Sequence, residues 1–321
     1  MVAAPLRYAD LPIRPDLPPR SAWGLYPDPR RGALSTLGPD QVRSGVAAVR
    51  SGEVFALNLE LGLPDPPLFG RRRLEHLVHG ELGGGAHDDE LVLNTQSSSQ
   101  WDGFRHVAHP EFGHFGGLAD DEHGIDAFAE GICGRAVLLD VARAAQRAGE
   151  ELVVDAPTPI SASLLERTVA DHQVELHPGD LLFLRTGWLN AYRQLDLAGR
   201  SRCAEDLACC GLEPSDAVFA FLFDHGVAAV AADNPSLELW PLGAHLRPEE
   251  RRAHRAAGRP DLVFGHYAIL ALLGIPIGEL FDLDAWAEAA DRDHRYDALV
   301  TSAPLRVRAG VASPPNAVVV R

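Results

Sequence analysis

The sequence predicts an α/β fold with a mixed β-sheet. Through the middle of the chain, continuously apolar runs, which are typical of buried strands, alternate with amphipathic segments of helical length. The chain contains no internal repeat, and no linker is longer than one glycine-rich turn. A single α/β domain is therefore the economical interpretation of the 321 residues.

The elements follow in chain order. Residues 1–35 are rich in proline and arginine, and prolines at this density interrupt helical hydrogen bonding, so we expect an N-terminal arm laid over a partner surface. Residues 36–321 are expected to form the domain, which begins with a helix over about 39–50 because Pro39 suits its first turn and Gly52 stops it. Strands are predicted within residues 53–61, 90–96, 179–188, 226–233 and 303–321, with a turn at 80–90 and a strand that enters a helix within 136–150. Helices are predicted within 161–173, 213–226, 247–258 and 282–293, and a buried apolar segment within 266–280.

The charge balance excludes several classes of partner. With 45 acidic residues, 29 basic residues and a net charge of −16, the chain lacks the basic surface that nucleic acids and anionic membranes require. No apolar run approaches the roughly 18 residues of a membrane span, and the N-terminus has no apolar leader. The four cysteines have no zinc-ribbon spacing and are expected to be reduced thiols. We therefore expect a cytoplasmic protein that acts on a small-molecule substrate.

The segment of residues 94–106 is the most informative polar stretch. It places Gln96, Gln100, Asp102 and His106 directly after a predicted strand, where each buried polar group needs a partner. A hydrogen-bonded loop cap is about as common an explanation for such a cluster. A nucleophilic triad using one of its serines is disfavoured because no G-x-S-x-G elbow is present. Metal binding fits better, since aspartate and neutral imidazole both ligate divalent ions.

A second candidate site lies in residues 264–279. His266 and Glu279 bracket an apolar run, and a buried carboxylate there is costly unless a cation or a hydrogen-bond donor compensates it. Taken alone, His266 would more often be a core histidine with its hydrogen bonds satisfied. Together with Asp102 and His106, the pair becomes a candidate ligand set.

At these residues the chain resembles the cyclase family, which includes bacterial kynurenine formamidase and isatin hydrolase. The family's signature is H-x-G-T-H-x-D-x-P-x-H, and Asp102 to His106 match its second half. Further segments resemble the family in chain order and cover most of the sequence, at residues 23–26, 32–37, 177–188, 232–236, 274–279 and 313–316. The resemblance implies a swivelling β/β/α catalytic domain, assembled as a homo-oligomer such as a dimer or tetramer, with active sites near the subunit contacts.

The resemblance also implies roles for individual residues. Asp102 matches a metal-ligating aspartate, His106 the proton-transfer catalyst, and His266 and Glu279 further ligands. Gln96 and Gln100 stand where the family has its two leading histidines. A glutamine oxygen binds zinc weakly and suits harder ions such as manganese. Three arrangements remain open. One Mn or Zn ion is held by Asp102, His266 and Glu279 with help from the two amides, or a weak metal site is filled only when substrate is bound, or the protein binds no metal.

The implied activity is hydrolysis, or the reverse cyclisation, of a small amide, formamide, lactam or lactone, with a metal-activated water and His106 as general acid and base. A metal-independent lyase or cyclase and a non-catalytic binding protein are the alternatives. The candidate substrate contacts are Trp23, Trp101, Phe104 and Arg105, where Arg105 would steer a carboxylate. Packing for Trp101 and a surface position for Arg105 are equally compatible with the sequence.

Overall fold

A computed structural model describes residues 6–80 and 84–321 of the chain. The strands of this part are β1 Val54–Ala56, β2 Glu75–His79, β3 Asp88–Val92, β4 Gln100–Asp102, β5 Ile132–Asp140, β6 Pro159–Ile160, β7 Leu181–Arg185, β8 Gly211–Leu212, β9 Ala229–Ala232, β10 Ile277–Glu279, β11 Asp297–Ser302, β12 Ala312–Ser313 and β13 Ala317–Val320. The α-helices are α1 Pro39–Ala48, α2 Val141–Arg147, α3 Ala162–Asp171, α4 Trp188–Gln194, α5 Leu197–Glu205, α6 Asp216–Asp224, α7 Pro248–Ala256 and α8 Asp284–Asp293. Residues 1–5 of the predicted arm and 81–83 of the predicted turn lie outside the described residues.

The main sheet has nine strands in the order β1-β13-β11-β5-β7-β9-β10-β4-β12. Its centre is parallel from β5 through β7 and β9 to β10, and antiparallel strands flank it on both sides. The central strands are buried along almost their whole length, as expected for a sheet covered on both faces. The predicted α/β fold with a mixed sheet is confirmed.

Most elements predicted from the sequence are present in the structure. The predicted helices that became α1, α3, α6, α7 and α8 are confirmed, with Ser161 and Ser215 capping α3 and α6 through their side chains. Strand β11 was not predicted, although it lies between β13 and β5 and alternates inward and outward residues. Only three residues separate the end of α8 from the start of β11, so the sequence does not show a clear boundary between the helix and this strand. In the described ranges, no helix is both long and apolar enough to cross a bilayer.

The segment predicted as buried and apolar, residues 266–280, contains two different elements. Tyr267–Leu272 forms a short π-helix, and β10 follows it. The backbone N–H of Leu273 donates to the carbonyl of Ala268 at 2.8 Å, which is the five-residue spacing of this wider helix. His266 stands immediately before the π-helix and Glu279 ends β10, so the two elements fix the two ends of the predicted site.

The described part of the N-terminal segment, residues 6–35, packs on its own chain, and its contact with a partner surface stays a prediction. Tyr8 and Leu34 are buried in the main core. The N–H groups of Ala22 and Ala33 donate to carbonyl oxygens of residues 272 and 274, at 2.9 and 2.8 Å. The segment forms only short 3-10 helices, at Tyr8–Asp10 and Gly32–Thr36, and its apolar side chains join the core of the domain.

His172, at the end of α3, is buried in a position that suits only its neutral form. Its ring stacks on Tyr296 with 3.5 Å between ring centroids, and its Nδ1 lies 3.3 Å from the carbonyl oxygen of Leu138. Burial lowers the pKa of His172 to about 4, from an ordinary value of 6.5.

We predict that His172→Asn reduces the loss of stability in acid. Because His172 binds its proton more weakly in the folded chain, its contribution is present above about pH 6.5 and is lost as the pH falls toward 4. The loss amounts to about 3 kcal/mol. Asparagine keeps an N–H for Leu138 but does not titrate. Urea unfolding at pH 7 and pH 4.5 should show a smaller drop in unfolding free energy for the variant, and equal drops would refute this assignment.

Candidate metal centre

Strand β4 holds the first polar side chains of the site in the sheet. It pairs antiparallel with β10, with Gln100 opposite Glu279 and Trp101 opposite Gly278. Because side chains alternate along a strand, Gln100, Asp102 and Glu279 lie on one face and Trp101 on the other. The Nε2 of Gln100 donates to Oε2 of Glu279 at 2.5 Å across the strand pair.

Gly278 allows this pairing because a side chain at its position would not fit. A Cβ there would lie 2.9 Å from Cζ3 of Trp101 and 2.6 Å from both Phe281 and Ala231. The Trp101 ring fills the space instead, against Phe183 and Phe281, and its indole N–H donates to Ser302. The core on one face of β4 thus determines where the polar residues of the other face stand.

A buried glutamate holds the second histidine. Glu238 is 1% exposed and accepts three hydrogen bonds, from the backbone N–H of Gly265 at 2.6 Å, that of His266 at 3.1 Å, and Nδ1 of His266 at 2.5 Å. Nδ1 of His266 therefore carries a ring proton, which it donates to Glu238. Its Nε2 faces the other side, 3.4 Å from Oε1 of Glu279.

His106 completes the cluster from a turn that follows β4. Its backbone N–H donates to the carbonyl of Gly103 at 2.9 Å, and its ring centroid lies 6.1 Å from that of His266. The Nε2 of Gln96 donates to Oδ1 of Asp102 at 2.8 Å and lies 3.2 Å from Nδ1 of His106. His106 is half-buried, whereas Asp102 and His266 are buried.

These residues fit a divalent metal ion. One ligand atom each from Asp102, His106 and His266 lies within 4.8 Å of the other two. The second carboxylate oxygen of Asp102, Oδ2, is buried without a hydrogen-bond partner among the described residues. A carboxylate oxygen without a partner is costly to bury unless a cation or a hydrogen-bond donor faces it. Two imidazoles and one carboxylate form a donor set that zinc, manganese and iron all accept.

The charges of the site act strongly on one another. Burial and the charge of Asp102 raise the pKa of Glu279 to about 7, against the lowering effects of His266 and Arg71. Burial lowers the pKa of His266, but the hydrogen bonds and charges of Glu238 and Glu279 outweigh it and raise that pKa to about 10. For His106, burial and the neighbouring charge of His266 lower the pKa despite the opposing effect of Asp102.

The structure brings most predicted ligands together but gives them different contacts. Asp102 and His266 meet as predicted, with His106 as the third member of the cluster. Gln96 and Gln100 turn their amide nitrogens, not their oxygens, toward the carboxylates of Asp102 and Glu279. They therefore act here as hydrogen-bond donors, the alternative to metal ligation.

The four residues predicted to contact substrate are Trp23, Trp101, Phe104 and Arg105. Trp101 and Phe104 are fully enclosed, and Phe104 packs on Phe115 and Phe128. The indole N–H of Trp23 donates to the carbonyl of Ala271, and the Arg105 guanidinium donates to that of Ala309. Each of these four side chains thus has contacts within the protein, and their role toward a substrate stays a prediction.

Sequence reasoning missed two residues of the site. Glu238 lies two positions beyond the segment of residues 232–236 that resembles the family, and its only local signal is an acidic residue within an apolar context. Arg71 is the first of three consecutive arginines and donates to the backbone carbonyl of Gln96. Nothing in the sequence separates it from Arg72 and Arg73.

We predict that Glu238→Gln weakens metal binding about 10- to 100-fold while the protein stays folded. Both Glu238 oxygens accept from N–H groups, so the amide NH₂ of a glutamine must face one of these donors. Facing Nδ1 of His266, it would favour the tautomer with the proton on Nε2. Titration of manganese or zinc measures the affinity, with Glu166→Gln on the exposed face of α3 as the control. Equal affinities in the two variants would disprove this role.

Comparison with known proteins agrees with this fold. The solved structure of a novel cyclase superposes with a TM-score of 0.79 and 25% sequence identity, covering 94% of this chain and 99% of that chain. Isatin hydrolase A from Labrenzia aggregata, bound to benzyl benzoate, superposes with a TM-score of 0.57 and 18% identity over 87% of this chain and 97% of that one. An isatin hydrolase bound to the product analogue thioisatinate superposes with a TM-score of 0.56 and 16% identity, covering 88% of this chain and 98% of that one.

A search of curated proteins finds no match to the chain. The family model described as "Putative cyclase" matches residues 21–239, which is more than half of the sequence. This match spans β4, the turn that carries His106, and Glu238. The resemblance seen in the sequence is confirmed, and the chain belongs to the cyclase family.

Proposed function

We propose that the protein is a metal-dependent hydrolase that opens a small amide, formamide, lactam or lactone, or closes one in the reverse direction. The observation that supports it best is the buried, unpartnered Oδ2 of Asp102 beside His106 and His266. Hydrogen bonds within the protein satisfy the other acidic groups of the site, Glu238 and Glu279, but leave this oxygen without a partner among the described residues. One divalent ion, manganese or zinc, would compensate it.

In this proposal Asp102 and His266 hold the ion, and Glu279, whose Oε1 lies 3.4 Å from Nε2 of His266, adds negative charge on the same side of the ring. A bound ion would act as a Lewis acid toward the substrate carbonyl. His106 moves the proton, because it alone of the three is half-buried and can exchange with solvent. Gln96 orients both Asp102 and His106, since its amide nitrogen lies within hydrogen-bond distance of each.

The two alternatives differ in measurable ways. A metal-independent lyase or cyclase would use His106 and Asp102 as acid and base and would tolerate a chelator. A binding member of the family would fold and bind ligand without turnover. The buried oxygen of Asp102 favours the metal-dependent reading over both. Assembly as a homo-oligomer and a cytoplasmic location remain predictions.

We predict that chelation abolishes hydrolysis of simple formamide, lactone and ester substrates and that added manganese or zinc restores it. The ion supplies the positive charge that the carbonyl oxygen needs as it becomes negative. Asp102→Asn should show neither activity nor restoration. Turnover that persists in chelator would favour the metal-independent alternative, and no turnover under any condition would favour the binding protein.

We predict that His106→Ala lowers kcat about 10²- to 10⁴-fold while about one ion per chain stays bound, because this variant removes a proton carrier. Metal content measured on the same sample separates this role from ligation. His87→Ala, at an exposed position of the β2–β3 hairpin, is the control. If His106→Ala loses the metal as Asp102→Asn does, His106 is a ligand and another group moves the proton.

A further inference from the structure

Three consecutive arginines precede β2, and they differ in how their charges are compensated. Arg72 forms an ion pair with Glu75, and Arg73 pairs with Asp65. Both are exposed. Arg71 is half-buried, and no carboxylate lies within ion-pair distance of it in the part of the chain that the structure describes. In an acidic chain, a partly buried arginine without an acidic partner is a candidate binder of an external anion.

Arg71 stands at the edge of the candidate metal centre. One Nη1–H donates to the backbone carbonyl of Gln96, whose side chain contacts Asp102 and His106. A single hydrogen bond to a carbonyl leaves most of the five guanidinium N–H groups available. The positive charge of Arg71 also acts on His106, where it adds to burial in lowering the pKa of the imidazole.

The backbone before Arg71 is shaped to hold it there. Phe69 and Gly70 both have positive φ, of 58° and 65°, and a phenylalanine in this region is strained. The guanidinium carbon of Arg71 lies 4.8 Å from the centre of the Phe69 ring, which meets Trp240 edge to face at 5.0 Å. Phe69 remains 36% exposed, so the arginine stacks on an aromatic surface that solutes can reach.

We propose that Arg71 binds a carboxylate of the ligand through its free guanidinium N–H groups, next to the exposed ring of Phe69. This deepens the proposed hydrolase function, on which it rests, and it assigns to Arg71 the carboxylate-binding role that the sequence suggested for Arg105. The carboxylate has two sources. It is either a separate anionic group of the substrate or the acid that hydrolysis of the acyl bond releases.

The direct test is binding of benzoate and of its neutral isostere benzamide, measured by calorimetry with both chelated and manganese-loaded protein. Arg71→Gln should weaken benzoate binding by about tenfold or more and leave benzamide binding unchanged. Arg71→Lys keeps the charge but not the planar guanidinium, so its benzoate affinity should lie between those of the wild type and of Arg71→Gln. Arg72→Gln is the matched control, and thermal melting checks that each variant folds. The proposal would be overturned if wild type and Arg71→Gln bound benzoate equally well. It would also be overturned if the wild type bound benzoate and benzamide with equal affinity.

Kinetics distinguishes the two sources. If the substrate supplies the carboxylate, Arg71→Gln lowers kcat/KM for an ester that carries a second, free carboxylate and spares the matched neutral diester. If the product supplies it, kcat/KM is unchanged for both, and inhibition by the released acid weakens instead. No change in either quantity would contradict the proposal. Since the binding measurement needs no turnover, it stays informative even if the hydrolase function itself fails.

Discussion

The pairing of β4 with β10 is the constraint on which the candidate site depends. Its register places Gln100 opposite Glu279 and sets Asp102 on the same face. A shift of one residue would turn these polar groups into the core and bring Trp101 out. The shift is prevented from the opposite face, where Gly278 leaves room for the Trp101 ring. Hydrophobic packing on one side of a three-residue strand thus positions the chemistry on the other.

The second constraint is the burial of three carboxylates in one small volume. Asp102, Glu238 and Glu279 are each at most 3% exposed. His266 contacts the two glutamates, and the amides of Gln96 and Gln100 each donate to one acid. Amide donors compensate a carboxylate only partly, because they bring no net charge. The divalent ion that we propose would compensate the remaining charge at Asp102.

The sequence was sufficient for the fold class and for the polar residues near the motif. Apolar periodicity identifies the central strands, and the match of Asp102 and His106 to the signature identifies the cluster. It could not show that Gln96 and Gln100 point their nitrogens at acids, since an amide has a donor and an acceptor end and only its neighbours decide between them. Nor could it find Arg71, because nothing in the sequence shows that Arg72 pairs with Glu75 whereas Arg71 donates to the Gln96 carbonyl.

The most direct test is the position of the ion itself. Crystals of the protein grown with manganese, measured by anomalous scattering, should show a peak in contact with Oδ2 of Asp102 and Nε2 of His266. The proposed metal-dependent function would be contradicted if the crystal showed no peak in this cluster or showed manganese only at surface carboxylates.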